Sequence, residues 1–227
     1  MSTVLLFDLD GTLVLTGGAG RRAMEQAIAA VCGSADGLRG MRFGGMTDHR
    51  IIRTALRSVG HADGSVEVEQ VIEAYLQVLP GEVASSETYR VLPGVLELLQ
   101  SVERTPGVAV GLGTGNVEDG AVVKLARGGL DRFFAFGGFG SDHEDRTEIL
   151  RTGAKRGARH LGLAPDACRV VVIGDTPRDV RAAKALGVPC VAVGTGGHSV
   201  EELRSEGAAA TFDDLRDAAV LNALLEV

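Results

Sequence analysis

Short apolar runs along this chain alternate with longer stretches in which apolar residues recur every three or four positions. The short runs are rich in β-forming residues and predict buried strands, whereas the longer patterns predict helices. The predicted strands cover residues 3–7, 108–113, 134–138, 170–173, 190–193 and 209–212. The predicted helices between and after them cover residues 95–104, 117–127, 147–161, 179–186, 200–205 and 215–224. This alternation predicts an α/β fold with a doubly wound parallel sheet and helices on both faces.

Residues 16–90 interrupt this alternation. Connections in α/β units run to about 2–6 residues, so a stretch of this length is not a simple loop. The predicted helices within it cover residues 20–32, 48–59 and 66–79, with a shorter one before Pro93. Thr47 caps the second helix, and Pro80 ends the third. We interpret residues 16–90 as a helical cap domain inserted into a core formed by residues 1–15 and 91–227.

The composition narrows the classes of partner. The chain has 227 residues, 45% of them hydrophobic, and a formal net charge of −7. This charge argues against nucleic acid and anionic membranes, because both bind basic surfaces. A small anionic substrate remains possible, because the local charge of a metal site outweighs the overall balance. Three cysteines far apart in the sequence, with no secretory or membrane-spanning pattern, predict reduced thiols in the cytoplasm.

Two aspartates follow the first predicted strand. Asp8 and Asp10 are two positions apart, which directs both carboxylates to the same side. Gly11 permits a sharp turn after them, and the Thr12 hydroxyl can tie that turn to its neighbours. Like charges this close repel each other unless a cation lies between them. The pair predicts a hard divalent metal and a carboxylate free to act as a nucleophile; the alternative is a surface turn capped by two aspartates.

The second long strand ends in the glycine-flanked segment Gly113-Thr114-Gly115-Asn116. Glycines at a strand end let backbone amides approach an anion. The Thr114 hydroxyl and the first amides of the next helix can then donate hydrogen bonds to a phosphoryl oxygen. The alternative is an ordinary turn in which Asn116 caps the helix.

A third strand ends in residues 174–179, which read Gly-Asp-Thr-Pro-Arg-Asp. Asp175 lies at the strand end and Asp179 in the first turn of the following helix. A metal with octahedral oxygen coordination suits Asp8, Asp175, a backbone carbonyl and water molecules. Taken alone, the segment is equally explained by helix capping. The ends of parallel strands share one crevice, however, and this favours a common site for all three loops.

Together these segments resemble the haloacid dehalogenase superfamily of phosphotransferases. Residues 8–13 match its first motif, residues 114–116 its second and residues 174–179 its fourth. The inserted helices are similar to the C1 cap of that superfamily, and the remainder is similar to its Rossmann-like core. Segments 17–22 and 45–48 make the chain look most like phosphoglycolate phosphatases.

The resemblance implies a Mg²⁺-dependent phosphatase that hydrolyses a small phosphomonoester, such as phosphoglycolate or a sugar phosphate, as a monomer or homodimer. Asp8 would attack phosphorus to form an aspartyl-phosphate, and Asp10 would protonate the leaving alcohol and then deprotonate water. The implied phosphate ligands are Thr114, Gly115 and Asn116, and the implied metal site is Asp8, Asp10, Asp175 and Asp179. A phosphomutase of the β-phosphoglucomutase kind shares these motifs. A non-catalytic binding protein on the same fold is the third alternative.

The third motif departs from the pattern of the family, which places a lysine before the helix that leads to the fourth motif. Residues 140–147 contain no lysine, and Arg146 is our candidate for the cation that balances the carboxylates. Arginine binds phosphate in a bidentate way, so the exchange is chemically reasonable. Arg151 and Lys155 are the alternatives.

Polar residues of the helical stretch are candidates for substrate contact. Caps of the C1 type lower a specificity loop onto the site, so the resemblance implies that such residues meet the leaving group. The candidates are Arg21, Thr47, Asp48 and Arg50.

Overall fold

The computed structural model describes residues 2–164 and 167–226. In chain order the strands are β1 (Thr3–Phe7), β2 (Val14–Leu15), β3 (Arg90–Val91), β4 (Val108–Gly113), β5 (Gly137–Gly138), β6 (Arg169–Gly174), β7 (Cys190–Val193) and β8 (Ala210–Phe212). The helices are α1 (Ala19–Cys32), α2 (Asp48–Ser58), α3 (Ser65–Ser85), α4 (Val95–Glu103), α5 (Glu118–Ala126), α6 (Arg146–His160), α7 (Pro177–Leu186), α8 (Val200–Glu206) and α9 (Ala219–Glu226). Short 3₁₀ turns lie at Asp36–Leu38 and Asp131–Phe133.

A six-stranded parallel sheet forms the centre of the molecule, in the order β5-β4-β1-β6-β7-β8. Strand β1 is buried along its whole length between β4 and β6. Phe7, its last residue, lies in register with Leu112 of β4 and Ile173 of β6. The loops after these three strands therefore leave the sheet side by side, where the strand order reverses. The sheet confirms the predicted fold class.

Helices cover both faces of the sheet, because alternate residues of β1 point to opposite sides. Leu5 and Phe7 pack in a cluster with residues of α4, α5 and α9. Val4 and Leu6 pack in a second cluster with residues of α6, α7 and α8. Burial on two sides explains why the strands are continuous apolar runs rather than alternating ones.

Helices α1, α2 and α3 lie between β2 and β3, and we call residues 16–90 the helical segment. These helices form a hydrophobic cluster of their own, whose buried side chains include Met24, Ile52 and Tyr75. Strands β2 and β3 pair in antiparallel fashion, with Leu15 opposite Arg90. The two ends of the segment therefore leave the sheet at the same place.

The prediction that the third helix of the segment ends at Pro80 is wrong. Helix α3 spans 21 residues, runs through Pro80 and takes the place of the short helix predicted before Pro93. A proline inside a helix removes one hydrogen bond. Leu79 and Val83 flank it and are buried in the cluster of the segment, and this packing offsets the cost. Among the described residues, no helix, α3 included, is both long enough and apolar enough to cross a membrane.

Two further predicted elements are shorter in the structure. The strand predicted over residues 134–138 is reduced to β5, because only Gly137 and Gly138 pair with β4. The helix predicted over residues 215–224 begins at Ala219, whose amide donates to the carboxylate of Asp217 at 2.8 Å. That carboxylate caps the helix and sets its start.

Candidate active site

The three predicted strand-end loops meet at the carboxyl edge of the sheet. Asp8 follows β1, Thr114 follows β4 and Asp175 follows β6, and all three side chains are buried. Their proximity follows from the neighbouring positions of β4, β1 and β6. The structure therefore brings these residues together through sheet order alone.

The turn after β1 is fixed to the loop after β6. The Thr12 hydroxyl donates to Oδ1 of Asp175 at 2.9 Å. Gly11 has a φ of 91°, and a Cβ at this position would collide with the Asp175 carboxylate. Glycine is required here both by the backbone conformation and by the close approach.

Three buried carboxylates form a group at this edge. Asp8, Asp175 and Asp179 each offer an oxygen, and these oxygens lie within 4.8 Å of one another. Burial raises the pKa of Asp8 to about 6, although Arg146 opposes the shift. Burial and the charges of Asp8 and Asp179 raise the pKa of Asp175 well above its usual range. An all-oxygen group with unbalanced negative charge fits a hard divalent cation.

Arg146 lies within this acidic group. Its Nη2 is 2.8 Å from Oδ1 of Asp8 and 2.5 Å from Oδ1 of Asp179, and its side chain is buried. Asp145 accepts hydrogen bonds from the amides of Thr147 and Glu148 as N-cap of α6, which makes Arg146 the first residue of that helix. The start of the helix thus places the guanidinium beside Asp8.

The two alternative cations lie elsewhere. Arg151 pairs with Glu148 on the surface of α6. Lys155 lines a separate groove with Val170 and Pro189, near the amino ends of β6 and β7 and so at the edge of the sheet opposite to Asp8. Of the three candidates, Arg146 alone is paired with Asp8.

Asp179 is held on both of its carboxylate oxygens. Oδ1 accepts from Nε of Arg146 at 2.7 Å. Oδ2 accepts from the amide and the hydroxyl of Thr176, which forms a reciprocal capping box at the start of α7. These contacts place Asp179 behind Asp8 as the residue that orients Arg146.

Asp10 lies outside the acidic group. Its Oδ2 accepts from Nζ of Lys124 at 2.6 Å and from Nδ2 of Asn116 at 2.9 Å. Asn116 also accepts from Lys124, through Oδ1, at 2.6 Å. Oδ2 of Asp10 is therefore engaged by these two side chains, and the Asp10 side chain is not part of the acidic group.

Lys124 is the residue of the site that sequence reasoning missed. On α5 the apolar Val122 is 49% exposed, whereas Gly120, Ala121, Lys124 and Leu125 are buried. A signal exists in the spacing, because Lys124 follows Ala121 by three residues and so lies on the same face of the helix.

The helical segment closes over the strand ends and leaves a cavity of about 180 Å³. Asp8, Asp10 and Arg146 line its floor, and Arg21 and Asp48 are the charged residues of the segment that line it. Apart from Thr16, the other side chains of the segment in the lining are apolar or aromatic: Met24, Phe43, Met46, Ile51 and Tyr75. The cavity therefore has a charged floor and a mostly apolar roof.

The predicted substrate contacts of the segment divide into two groups. Arg21 and Asp48 reach the cavity, whereas Thr47 and Arg50 line a groove on the outer side of the loop. The Thr47 hydroxyl accepts from the amide of Arg50 at 3.2 Å, so it acts as the N-cap of α2.

Asp48 joins the segment to the loop after β4. Its amide donates to the carbonyl of Gly115 at 2.9 Å, and its Oδ2 accepts from the amide of Val117 at 2.9 Å. A Cβ at Gly115 would collide with the main-chain oxygen of Met46. Burial raises the pKa of Asp48. The loop that begins α2 is thus seated directly on the segment predicted to bind phosphate.

Comparison with known proteins places this geometry in a family. The family model for haloacid dehalogenase-like hydrolases matches residues 3–187. The phosphoglycolate phosphatase of Rhodospirillum rubrum is 30% identical over 223 residues, which cover 94% of this chain and 88% of the relative. The phosphoglycolate phosphatase of Pseudomonas savastanoi pv. phaseolicola is 29% identical over 215 residues, covering 94% and 77%.

The fold agrees with these matches. CbbY from Rhodobacter sphaeroides, solved in complex with phosphate, superimposes with a TM-score of 0.73 at 22% identity and covers 99% of both chains. The family match spans most of the sequence and includes all three strand-end loops, which confirms the resemblance that those loops indicated. The chain belongs to the haloacid dehalogenase-like hydrolase family, and it is an enzyme of the phosphatase type that is similar to phosphoglycolate phosphatases.

Proposed function

We propose that this enzyme is a Mg²⁺-dependent phosphatase that hydrolyses a small phosphomonoester, phosphoglycolate or a sugar phosphate, through an aspartyl-phosphate on Asp8. One observation carries the proposal. Asp8 is paired with Arg146 at the floor of a cavity that also holds Asp10, Thr114 and Asn116. The proposed nucleophile, a cation, a proton donor and phosphate ligands therefore line the same small cavity.

Asp8 is the proposed nucleophile. Its Oδ1 is bonded to Arg146, which leaves Oδ2 to attack phosphorus. In the first step a bond forms between this oxygen and phosphorus while the ester P–O bond breaks, and Asp10 gives its proton to the leaving oxygen. In the second step water attacks phosphorus, Asp10 takes a proton from that water, and the Asp8 carboxylate is released.

The loop after β4 supplies hydrogen-bond donors for the phosphoryl group. Oγ1 of Thr114 accepts from the amide and from Nδ2 of Asn116, at 3.3 and 2.8 Å, so its own hydrogen is free to donate. The amide of Gly115 donates to no acceptor among the described residues. Both donors suit a phosphoryl oxygen, and Arg146 adds positive charge beside it.

The acidic group supports the choice of metal. Asp8 and Asp175 are the residues that would hold Mg²⁺, with Asp179 next to them, and a backbone carbonyl and water molecules would complete the coordination. When bound, the ion would neutralise charge and polarise a phosphoryl oxygen. Oxygen donors in small number suit Mg²⁺ better than Ca²⁺, which prefers more ligands.

The size of the cavity supports a short substrate. Sites for drug-sized ligands have volumes of about 300–1,000 Å³, whereas this cavity measures about 180 Å³. We therefore favour a leaving group of few carbons.

We further propose that residues 1–15 and 91–227 form the catalytic core and that residues 16–90 act as its cap. We also propose that the enzyme works in the cytoplasm, where its three free cysteines would stay reduced.

A panel of phosphorylated metabolites tests the proposal. With Mg²⁺, purified enzyme should release inorganic phosphate, most rapidly from short phosphomonoesters, and chelation followed by desalting should abolish release. Product analysis distinguishes the alternatives: a rearranged phosphate ester instead of free phosphate would indicate a phosphomutase. Absence of turnover across the panel would favour a binding protein.

A further inference from the structure

Lys124 is a buried cation at the site with no counterpart among the recognised motifs. The chain contains three lysines, and this one, on α5, is only 4% exposed. Its ammonium group bonds to Asp10 and Asn116 at 2.6 Å each, and it lies beside the hydroxyl of Tyr75, which comes from α3. A lysine so deeply buried requires partners of this kind. Burial by itself would lower the pKa of Lys124, but Asp10, Tyr75 and Asp48 around it raise that pKa above its usual value, so the group stays charged.

The contacts of Asp10 are asymmetric. Oδ2 accepts from both Lys124 and Asn116, whereas Oδ1 accepts from no described residue. The Asp10 side chain is 43% exposed, so little packing around it restricts its rotation. The two donors therefore decide which oxygen faces the cavity.

Space for the ammonium group is kept open in α1. A Cβ at Gly20 would lie 3.2 Å from Nζ of Lys124 and 3.8 Å from the hydroxyl of Tyr75. Real Cβ contacts are rarely as close as the first of these, so a side chain at position 20 would require the ammonium group to shift by a few tenths of an ångström. The helical segment thus supplies both the hydroxyl beside Lys124 and the space for its ammonium group.

We propose that Lys124 is a positioning residue for Asp10: it fixes Oδ2 so that Oδ1 carries the proton to and from the reacting oxygen. The inference rests on the proposed function. In the first step the proton passes from Oδ1 to the leaving oxygen, and in the second it passes from water to Oδ1. Lys124 keeps all of its protons throughout, and its link to Tyr75 makes the geometry of the acid dependent on the closed helical segment.

The dependence of rate on the leaving group tests this role. A good leaving group such as 4-nitrophenolate needs little protonation, whereas an alkoxide needs the acid. Lys124→Met should lower kcat/KM about 100-fold for the best alkyl phosphate of the panel, the scale of a catalytic group misplaced by about 1 Å. The loss with 4-nitrophenyl phosphate should stay within about threefold. Lys124→Arg should recover part of the alkyl activity.

Matched variants keep the test decisive if Lys124→Met folds poorly. Gly20→Ala and Tyr75→Phe leave the lysine in the chain and should each give a smaller loss that is again confined to alkyl substrates. Lys184→Met, the same change on α7, should have no effect. Thermal unfolding checks the fold of every variant.

Three outcomes overturn the inference. Equal losses on alkyl and aryl substrates would mean that Lys124 only supports the fold. A rise in KM confined to leaving groups that carry a carboxylate, with kcat unchanged, would mean that Lys124 binds substrate directly. A wild-type enzyme with no phosphatase activity would remove the proposed function, and with it this inference. If the wild-type enzyme is active, either of the first two outcomes would remove the inference alone.

Discussion

Asp8 and Asp10 are two residues apart, and each is bonded to one buried cation, yet the two halves of the site are built differently. The Asp8 half is closed: the carboxylate is 5% exposed, and its partner Arg146 comes from α6, which packs against the sheet. The Asp10 half is open to the cavity. Its partner Lys124 comes from α5 and touches Tyr75 of the helical segment.

This difference separates two tasks. The Asp8 half is assembled by the sheet and its own helices, so its geometry should not depend on the helical segment. The Asp10 half includes Lys124, which lies beside Tyr75 of the segment, and Asp48 joins the segment to the neighbouring loop. Attack on phosphorus should therefore depend on the core, and proton transfer to the leaving group should depend on closure. The predictions below test this division.

The largest effect should come from the nucleophile itself. Asp8→Asn should reduce turnover below detection on every substrate, because an amide does not attack phosphorus. Asp10→Asn should cost roughly 10²–10⁴-fold, the usual range for a general acid–base group. Steady-state phosphate release measures both, with intact-mass analysis to exclude deamidation. Near-wild-type rates from an undeamidated Asp8→Asn variant would rule out the covalent intermediate.

Arg146 should rank next. Its removal leaves Asp8 and Asp179 as buried charges without their partner, a loss of about 3–5 kcal/mol. Because the guanidinium is also the positive charge beside the phosphoryl group, Arg146→Ala should lose about 10²–10³-fold in kcat/KM on alkyl and aryl substrates alike, and Arg146→Lys should recover part of it.

The matched control is Lys155→Ala. It removes a cation near the amino ends of β6 and β7, at the edge of the sheet opposite to Asp8, and should leave kcat/KM unchanged. If Lys155→Ala abolishes activity while Arg146→Ala does not, the cation of the third motif has been misassigned. A loss at Arg146 restricted to alkyl substrates would contradict the division between the two halves.

The difference between the Asp8 half and the Asp10 half also explains which residues of the site could be predicted from the sequence. Asp8, Thr114 and Asp175 follow strands, and the order of a parallel sheet brings strand ends together whatever the side chains are. Arg146 could be proposed from the sequence because it lies at the start of the helix that became α6. These positions depend on local pattern and on topology, both of which the sequence records.

The burial of Lys124 depends mainly on tertiary contacts. A charged residue on a short helix is normally assigned to the solvent side, and only the presence of Asp10 and Asn116 across the cavity makes its burial favourable. Pro80 is a similar case, because α3 continues beyond it by packing against residues that are distant in the sequence. Tertiary contacts overrode local preference at both positions.

Arg21 and Arg50 allow a test of the roof of the site. Both belong to the helical segment, but only Arg21 lines the cavity. If an anionic leaving group lies under the segment, Arg21→Met should lower kcat/KM for phosphoglycolate about tenfold relative to 4-nitrophenyl phosphate, as expected for one lost hydrogen bond to a charged group. Arg50→Met should not change this ratio. A uniform loss with both variants would indicate misfolding of the segment instead.

The smallest effect concerns stability in the absence of metal. The pKa of Asp8 is about 6 in the folded protein and about 3.9 in an unfolded chain. Between these values the folded state binds more protons, so the free energy of unfolding should fall as pH rises through this window. In chelator-treated protein the fall in the free energy of unfolding that is attributable to Asp8 should reach about 3 kcal/mol at most, and it should be absent from Asp8→Asn.

Asp214, whose pKa Arg216 lowers, gives a control of opposite sign: Asp214→Asn should lose stability relative to wild type as pH rises. Melting curves of wild type and Asp8→Asn from pH 4 to 7 should therefore diverge by several degrees in favour of the variant, and parallel curves would show that Asp8 is not the strained carboxylate of the site.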